Sequence, residues 1–298
     1  MADSKSKIRI LIANPNATSS MTDNCLKLVT PTLPPDVSVH GFTSPHPGPT
    51  AIEGAVDNVL SSAAAFRALL PLQENEHYDA ILVACYSSHA LIPMLREELD
   101  VPIIGIMEAS LFYARTLGAR IGVVSTSSRS AIAHRDSFAG YGFSSCLAGL
   151  RSCDLGVLDL ERLPRQQVLD RMKIVAKELV ELDGADVLTL GCAGMTDMQA
   201  AVQEAVGGEV QVVDGVVAGG QHLIGVVRMG GETAKRGLWR SSRAGREARG
   251  QGGLDTFVRT TGLRVCLCKH REGEVRTSQC AASGGFQGNF ERLLIAAI

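Results

Sequence analysis

Two short stretches constrain this chain more than anything else in it. Each is an apolar run of buried-strand length that stops at a cysteine. The first is Ala80-Ile81-Leu82-Val83-Ala84-Cys85, continued by Tyr86-Ser87-Ser88-His89. The second is Ala185-Asp186-Val187-Leu188-Thr189-Leu190-Gly191-Cys192, continued by Ala193-Gly194-Met195-Thr196-Asp197. Small and hydroxyl-bearing residues after each cysteine suit the opening of a helix. Strands that alternate with helices build parallel sheets, and ligands bind outside the carboxyl ends of such strands. Both thiols are therefore expected at a crevice, at helix N-termini whose partial positive charge lowers a thiol's pKa. Thiols on opposite walls of one cleft would take a proton from one face of a carbon and return it to the other, which is racemisation.

The rest of the chain repeats the alternation. Ile8 to Ala13 is a strand that ends at Asn14-Pro15-Asn16, and the helix after it includes Met21 to Val29. Asp36 to Phe42 reads as a strand, Ile52 to Leu70 as a helix, and Ile121 to Ser125 as a strand leading to the capping cluster Thr126-Ser127-Ser128. Val168, Met172, Val175, Leu179 and Leu182 mark an amphipathic helix from Pro164 to Leu182. Val210 to Val213 is a last strand, followed by a helix from Val216 toward Gly230. The pattern falls into two similar halves, each with a strand ending in a small polar residue and a later strand ending in cysteine. The expected fold is α/β, with two similar lobes, each a parallel β-sheet flanked by helices, and the site in the cleft between them. The first lobe is expected from 7–107 plus 209–239 and the second from 108–208.

A net charge of −2 gives no electrostatic case for nucleic acid or an anionic membrane as a partner. No apolar signal region precedes the first strand, and no run is long enough to span a bilayer. Eight irregularly spaced cysteines without such a signal suggest reduced thiols, so the expected setting is cytoplasmic. The expected partner is a small-molecule substrate, with self-association into a homo-oligomer left open.

Five stretches in order carry a family resemblance: Asn14-Pro15-Asn16, Ala84-Cys85-Tyr86, Val101-Pro102-Ile103-Ile104-Gly105-Ile106, Gly191-Cys192-Ala193-Gly194-Met195 and Val213-Asp214-Gly215-Val216-Val217-Ala218-Gly219. They resemble the aspartate/glutamate racemase superfamily, and within it the hydantoin racemase branch. The resemblance implies racemisation without a cofactor and without a metal, with Cys85 and Cys192 as the two catalytic thiols. It also implies substrate contacts at the turns after the strands, here Asn14, Ser87, Ser88, Thr126, Ala193 and Gly194. Amino-acid racemases of the superfamily follow their cysteines with Asn or Thr. This chain has Tyr86 and Ala193, which favours a neutral hydantoin-type ring such as allantoin or a 5-substituted hydantoin. The alternatives are an amino-acid racemase, a maleate-type cis-trans isomerase, or a binding protein that kept the fold and lost turnover.

Other residues have plainer readings. His89 follows Cys85 closely but reads first as a helix-start histidine. Asp197 and Glu108 read as carboxylates in the first turn of a helix. Cys25, Cys146 and Cys153 lack the strand-end context and read as structural. Residues 240–298 form an atypical Arg/Gly-rich tail without clear periodicity. Its Cys266-Leu267-Cys268-Lys269-His270 and Cys280 fit no common zinc spacing.

Overall fold

The computed structural model describes residues 7–251. The first lobe runs β1 (Ile8–Asn14), α1 (Ser19–Val29), β2 (Val37–Thr43), α2 (Ala55–Glu76), β3 (Ala80–Val83), α3 (Leu91–Glu98) and β4 (Ile103–Gly105). Its strands form a wholly parallel sheet in the order β2-β1-β3-β4. Helix α4 (Ile106–Leu117) leads into the second lobe. There β5 (Ile121–Ser125), α5 (Ser128–Gly140), β6 (Leu147–Ser152), α6 (Asp159–Arg162), α7 (Arg165–Glu181), β7 (Val187–Leu190), α8 (Gln199–Val206) and β8 (Gln211–Val213) follow. The second sheet is also parallel, in the order β6-β5-β7-β8, the same arrangement as the first. Helices α9 (Gly215–Arg228) and α10 (Arg243–Ala248) complete the described chain. No helix among the described residues is long and apolar enough to cross a membrane.

The strand sequences explain the layering. Successive side chains of a strand point to opposite faces, so a strand covered on both faces reads as an unbroken apolar run. Along β1, Ile10 and Ile12 enter one core while Leu11 and Ala13 enter another. On the second sheet, Val123 and Val187 join the first of these cores, and Val124, Leu188 and Leu190 face a third. The shared core contains residues of both sheets together with Val29 of α1, Leu111 of α4 and Leu223 of α9. Glycine lets α9 approach closely: a Cβ on Gly219 would lie 2.4 Å from Leu82 Cδ1, and one on Gly215 would lie 2.6 Å from the Ile106 carbonyl oxygen. These glycines serve packing.

Two features depart from the sequence reading. Strand β6 was not anticipated, because it is a half-buried edge strand whose Leu147-Ala148-Gly149-Leu150-Arg151-Ser152 shows no dense apolar run. The lobe boundary at 209 also shifts. Strand β8 pairs with β7, Leu188 opposite Val212, so it belongs to the second sheet. The return to the first lobe begins after it, where Asp214 Oδ1 caps α9 by accepting from Val216 N–H at 2.8 Å and Val217 N–H at 3.0 Å.

Residues 240–251, which the sequence put at the start of the tail, pack on the first lobe as part of a longer strap. Lys235 Nζ donates to the Arg96 and Leu99 carbonyls at 2.6 Å each, and Trp239 lies over the Arg96 guanidinium, 5.6 Å from the ring centre. Glu98, only 3% exposed at its side chain, accepts from Arg246 at 2.5 Å and from Ser241 Oγ at 3.0 Å, and pairs with Arg243 at 3.3 Å. The remainder of that tail, with its cysteines, lies outside the described residues.

Burial alone would raise the Glu98 pKa, but the bonds and charges of Arg246, Ser241 and Arg243 outweigh it and leave it lowered. Glu98→Gln should therefore cost about 1–3 kcal/mol, seen as a fall of several degrees in Tm at neutral pH. A lowered folded-state pKa stabilises above the unfolded value near ~4.3 and stops doing so as pH falls through the folded value. The deficit should shrink on acidification, and an unchanged Tm at neutral pH would mean that the strap is not held by these bonds.

Candidate active site

A cleft of about 620 Å³ opens at the carboxyl ends of β1, β3, β5 and β7. Cys85 and Cys192 both line it, each half-buried. They stand at equivalent places, two residues beyond the central strands β3 and β7 of sheets with the same order.

Their surroundings differ from the helix-start setting expected. Cys85 is followed by turns and not by a helix, since α3 begins only at Leu91. Its Sγ lies 3.3 Å from Ser87 Oγ. Burial pushes the Cys85 thiol up to about 11, with the Ser87 hydroxyl opposing. Cys192 does cap a short 3-10 helix, Ala193–Met198, and its Sγ accepts from Gly194 N–H at 3.4 Å. Burial still dominates and pushes it up to about 12. The Gly194 bond opposes, and negative charge on Cys85, Glu53 and Glu161 adds to the rise. Desolvation outweighs the few aligned peptide dipoles, so both thiols are protonated at neutral pH in the open cleft. The expectation of lowered thiol pKa values is corrected accordingly.

The loop that carries Cys85 is held by the opposite lobe. Tyr86 Oη and Thr189 Oγ1 lie 2.6 Å apart, joining the residue after one thiol to the strand that leads to the other. Tyr86 is buried, its phenol held at a raised pKa of about 12 by desolvation, against its bonds to Thr189 and Ser110. From α5, His134 packs edge-on against the Tyr86 ring, centroids 5.0 Å apart, and its Nδ1 lies 3.0 Å from Ser125 Oγ. Burial lowers its pKa to about 4, so the ring is neutral. Its edge also meets Gly191, where a Cβ would lie 3.2 Å from Cε1, so one imidazole touches both cysteine turns. Ser88 Oγ meets Ser137 Oγ of α5 at 3.0 Å.

The remaining candidates separate. Ser87, Ser88, Thr126 and Ala193 line the cleft, while Gly194 acts through its N–H on Cys192. Asn14 does not line the cleft: it is buried, and Nδ2 donates to Asn16 Oδ1, Thr18 O and Thr22 Oγ1. Asn16 of the same motif does, and among the described residues its Nδ2 meets only the weak Met21 sulfur acceptor at 3.3 Å. His89 is fully buried away from the cleft, taking the Leu91 N–H on Nδ1 and meeting Ser61 Oγ through Nε2. Burial lowers its pKa to about 4. Asp197 pairs with Arg165 at 2.8 Å and Glu108 with Arg96 at 2.8 Å. Sequence reasoning passed over Asn16, His134 and two charged cleft residues, Glu53 and Arg129. Only Asn16 sat in a stretch already singled out.

The chain is similar to known proteins over most of its described length. Residues 10–223 match the family described as Asp/Glu/Hydantoin racemase. A hydantoin racemase from Pseudomonas sp. is 32% identical over 228 residues, covering 76% of this chain and 89% of the relative. A solved allantoin racemase from Pseudomonas fluorescens superposes with a TM-score of 0.74 at 27% identity, covering 78% of this chain and 97% of the other. An allantoin racemase from Klebsiella pneumoniae gives the same TM-score at 25% identity, covering 79% and 94% of the two chains.

The contact between the lobes generates a thermodynamic cycle. Tyr86→Phe leaves the Thr189 hydroxyl buried without its partner and should cost about 1–3 kcal/mol. Thr189→Val added to it should cost much less than its own separate penalty, because it removes the hydroxyl that Tyr86→Phe had orphaned. Denaturant unfolding measures both, and strict additivity would show that the two hydroxyls are not coupled.

Proposed function

The chain belongs to the Asp/Glu/hydantoin racemase family, and from that premise we propose that it racemises hydantoin-type rings, allantoin or 5-substituted hydantoins, by a two-thiol mechanism. The observation that carries the reading is the pair of thiols delivered by equivalent strand ends to one cleft. One, as thiolate, removes the proton from the ring carbon beside a carbonyl. The electron pair passes into the carbonyl as an enolate, and the other thiol gives its proton to the opposite face. The first sulfur ends protonated and the second ionised, so the roles reverse for the other enantiomer.

Two electrostatic facts support this chemistry. Negative charge on Cys85 raises the Cys192 pKa, which favours one thiolate facing one thiol over two thiolates. A raised thiol pKa also brings the base closer in strength to a carbon acid, at the cost of a smaller ionised fraction. Within the cleft the Asn16 amide is the donor left for a developing enolate oxygen, because the Ser87 hydroxyl meets Cys85 and the Thr126 hydroxyl donates to Ser130. The chemistry calls for reduced thiols, which suits the cytosol.

Cys85→Ser and Cys192→Ser test the assignment, since a serine hydroxyl is too weak an acid to replace either sulfur. Polarimetry on a single enantiomer should show each variant slowed by about 100-fold or more. Near-native racemisation by either variant would contradict the two-thiol mechanism.

A further inference from the structure

The mouth of the cleft carries an arginine in an unfavourable place. Arg129 is the second residue of α5, at the positive end of the helix dipole, where a cation is disfavoured. It has no hydrogen-bond or ion-pair partner among the described residues. Its guanidinium reaches from the second lobe to Gly54 of the first, where a Cβ would lie 2.7 Å from Nη2 and 2.9 Å from Cζ. Glu53, next in the chain, accepts the Val157 N–H on Oε1 at 2.8 Å, and its other oxygen has no partner among the described residues. Both side chains line the cleft, flanked by Val59 and Ile132, which are 63% and 67% exposed.

Distance from the chemistry gives this pair its part. Arg129 and Glu53 are both exposed, whereas the two thiols lining the same cleft are half-buried. The pair therefore stands nearer the mouth than the thiols, on the side toward which a substituent on the reacting carbon would project. A guanidinium fork offers donors only, and a carboxylate offers acceptors only. A carbamoyl group, with its carbonyl oxygen and its N–H, complements both at once, whereas an alkyl group would leave both bare and a carboxylate would repel Glu53.

We propose that Arg129 and Glu53 select, among ring substrates, those whose substituent on the reacting carbon ends in a carbamoyl group. The carbonyl oxygen accepts from Arg129, and the N–H donates to the free oxygen of Glu53. This rests on the ring-racemase reading above.

The test is the ratio of kcat/KM for allantoin, which carries a ureido group, to kcat/KM for isobutylhydantoin, which carries an alkyl group of similar size. Both are measured on the same preparation, so the ratio is independent of how much protein is active. In Arg129→Ala the ratio should fall about tenfold or more, the value of one charge-assisted hydrogen bond. In Glu53→Gln, which keeps an oxygen for the Val157 N–H, it should fall severalfold. That variant also removes a charge felt by Cys192, but this acts on both substrates alike. A ratio unchanged in Arg129→Ala, including equal loss with both substrates, would overturn the proposal. Absence of racemisation of either compound by the native protein would overturn the ring-racemase reading, and the inference with it.

Discussion

A contact between two hydroxyls, Tyr86 Oη and Thr189 Oγ1 at 2.6 Å, holds together the two parts on which the site depends. Each thiol belongs to a different lobe, so neither lobe alone can face both sides of a carbon. The loop bearing Cys85 runs five residues before α3 begins at Leu91, and groups of the second lobe help to set its position. Thr189 holds the Tyr86 hydroxyl, His134 packs edge-on against the Tyr86 ring, and Ser137 holds Ser88. These groups are buried or half-buried, where an unmade hydrogen bond is expensive, so the geometry is strongly preferred. Tyr86, the residue after one thiol, ties the two lobes together.

The duplicated sheet order explains why the thiols are placed alike. Two sheets with the same strand order, packed through one shared core, present their central strand ends to the same cleft. The chemistry proposed for the cleft needs that equivalence, because forward and reverse reactions exchange the roles of the two sulfurs. It also needs desolvation, which raises both thiol pKa values and makes each ionised sulfur a stronger base. The exposed pair Arg129 and Glu53 stands nearer the mouth of the cleft than the half-buried thiols.

Much of this was legible in the sequence, for physical reasons that also mark the limits. β1, β3, β5 and β7 are covered on both faces, so they read as apolar runs, and the cysteines after β3 and β7 stood out by place and not by type. The edge strand β6 was invisible because half-burial erases that signal. β8 was recognised as a strand but assigned to the wrong lobe, since its partner is fixed by non-local pairing with β7. Asn14 and Asn16 share one motif, and only the backbone path decides that Asn16 enters the cleft. The thiol pKa direction was missed because the local pattern suggested a helix dipole at Cys85, whereas turns follow it and burial dominates. His134 and Arg129 lie far in sequence from both cysteines and announce nothing until the lobes are folded together.

The central claim is that two different groups address the two faces of one carbon. A single enantiomer of the ring substrate incubated with the native protein in deuterium oxide, stopped at low conversion and analysed by chiral separation with mass spectrometry, tests it most directly. The account predicts that newly formed product carries solvent deuterium while the recovered starting enantiomer keeps its protium, because the sulfur that takes the proton does not deliver the replacement. Deuterium in the recovered starting enantiomer at a rate equal to or above product formation would show one base serving both faces, and would contradict the account.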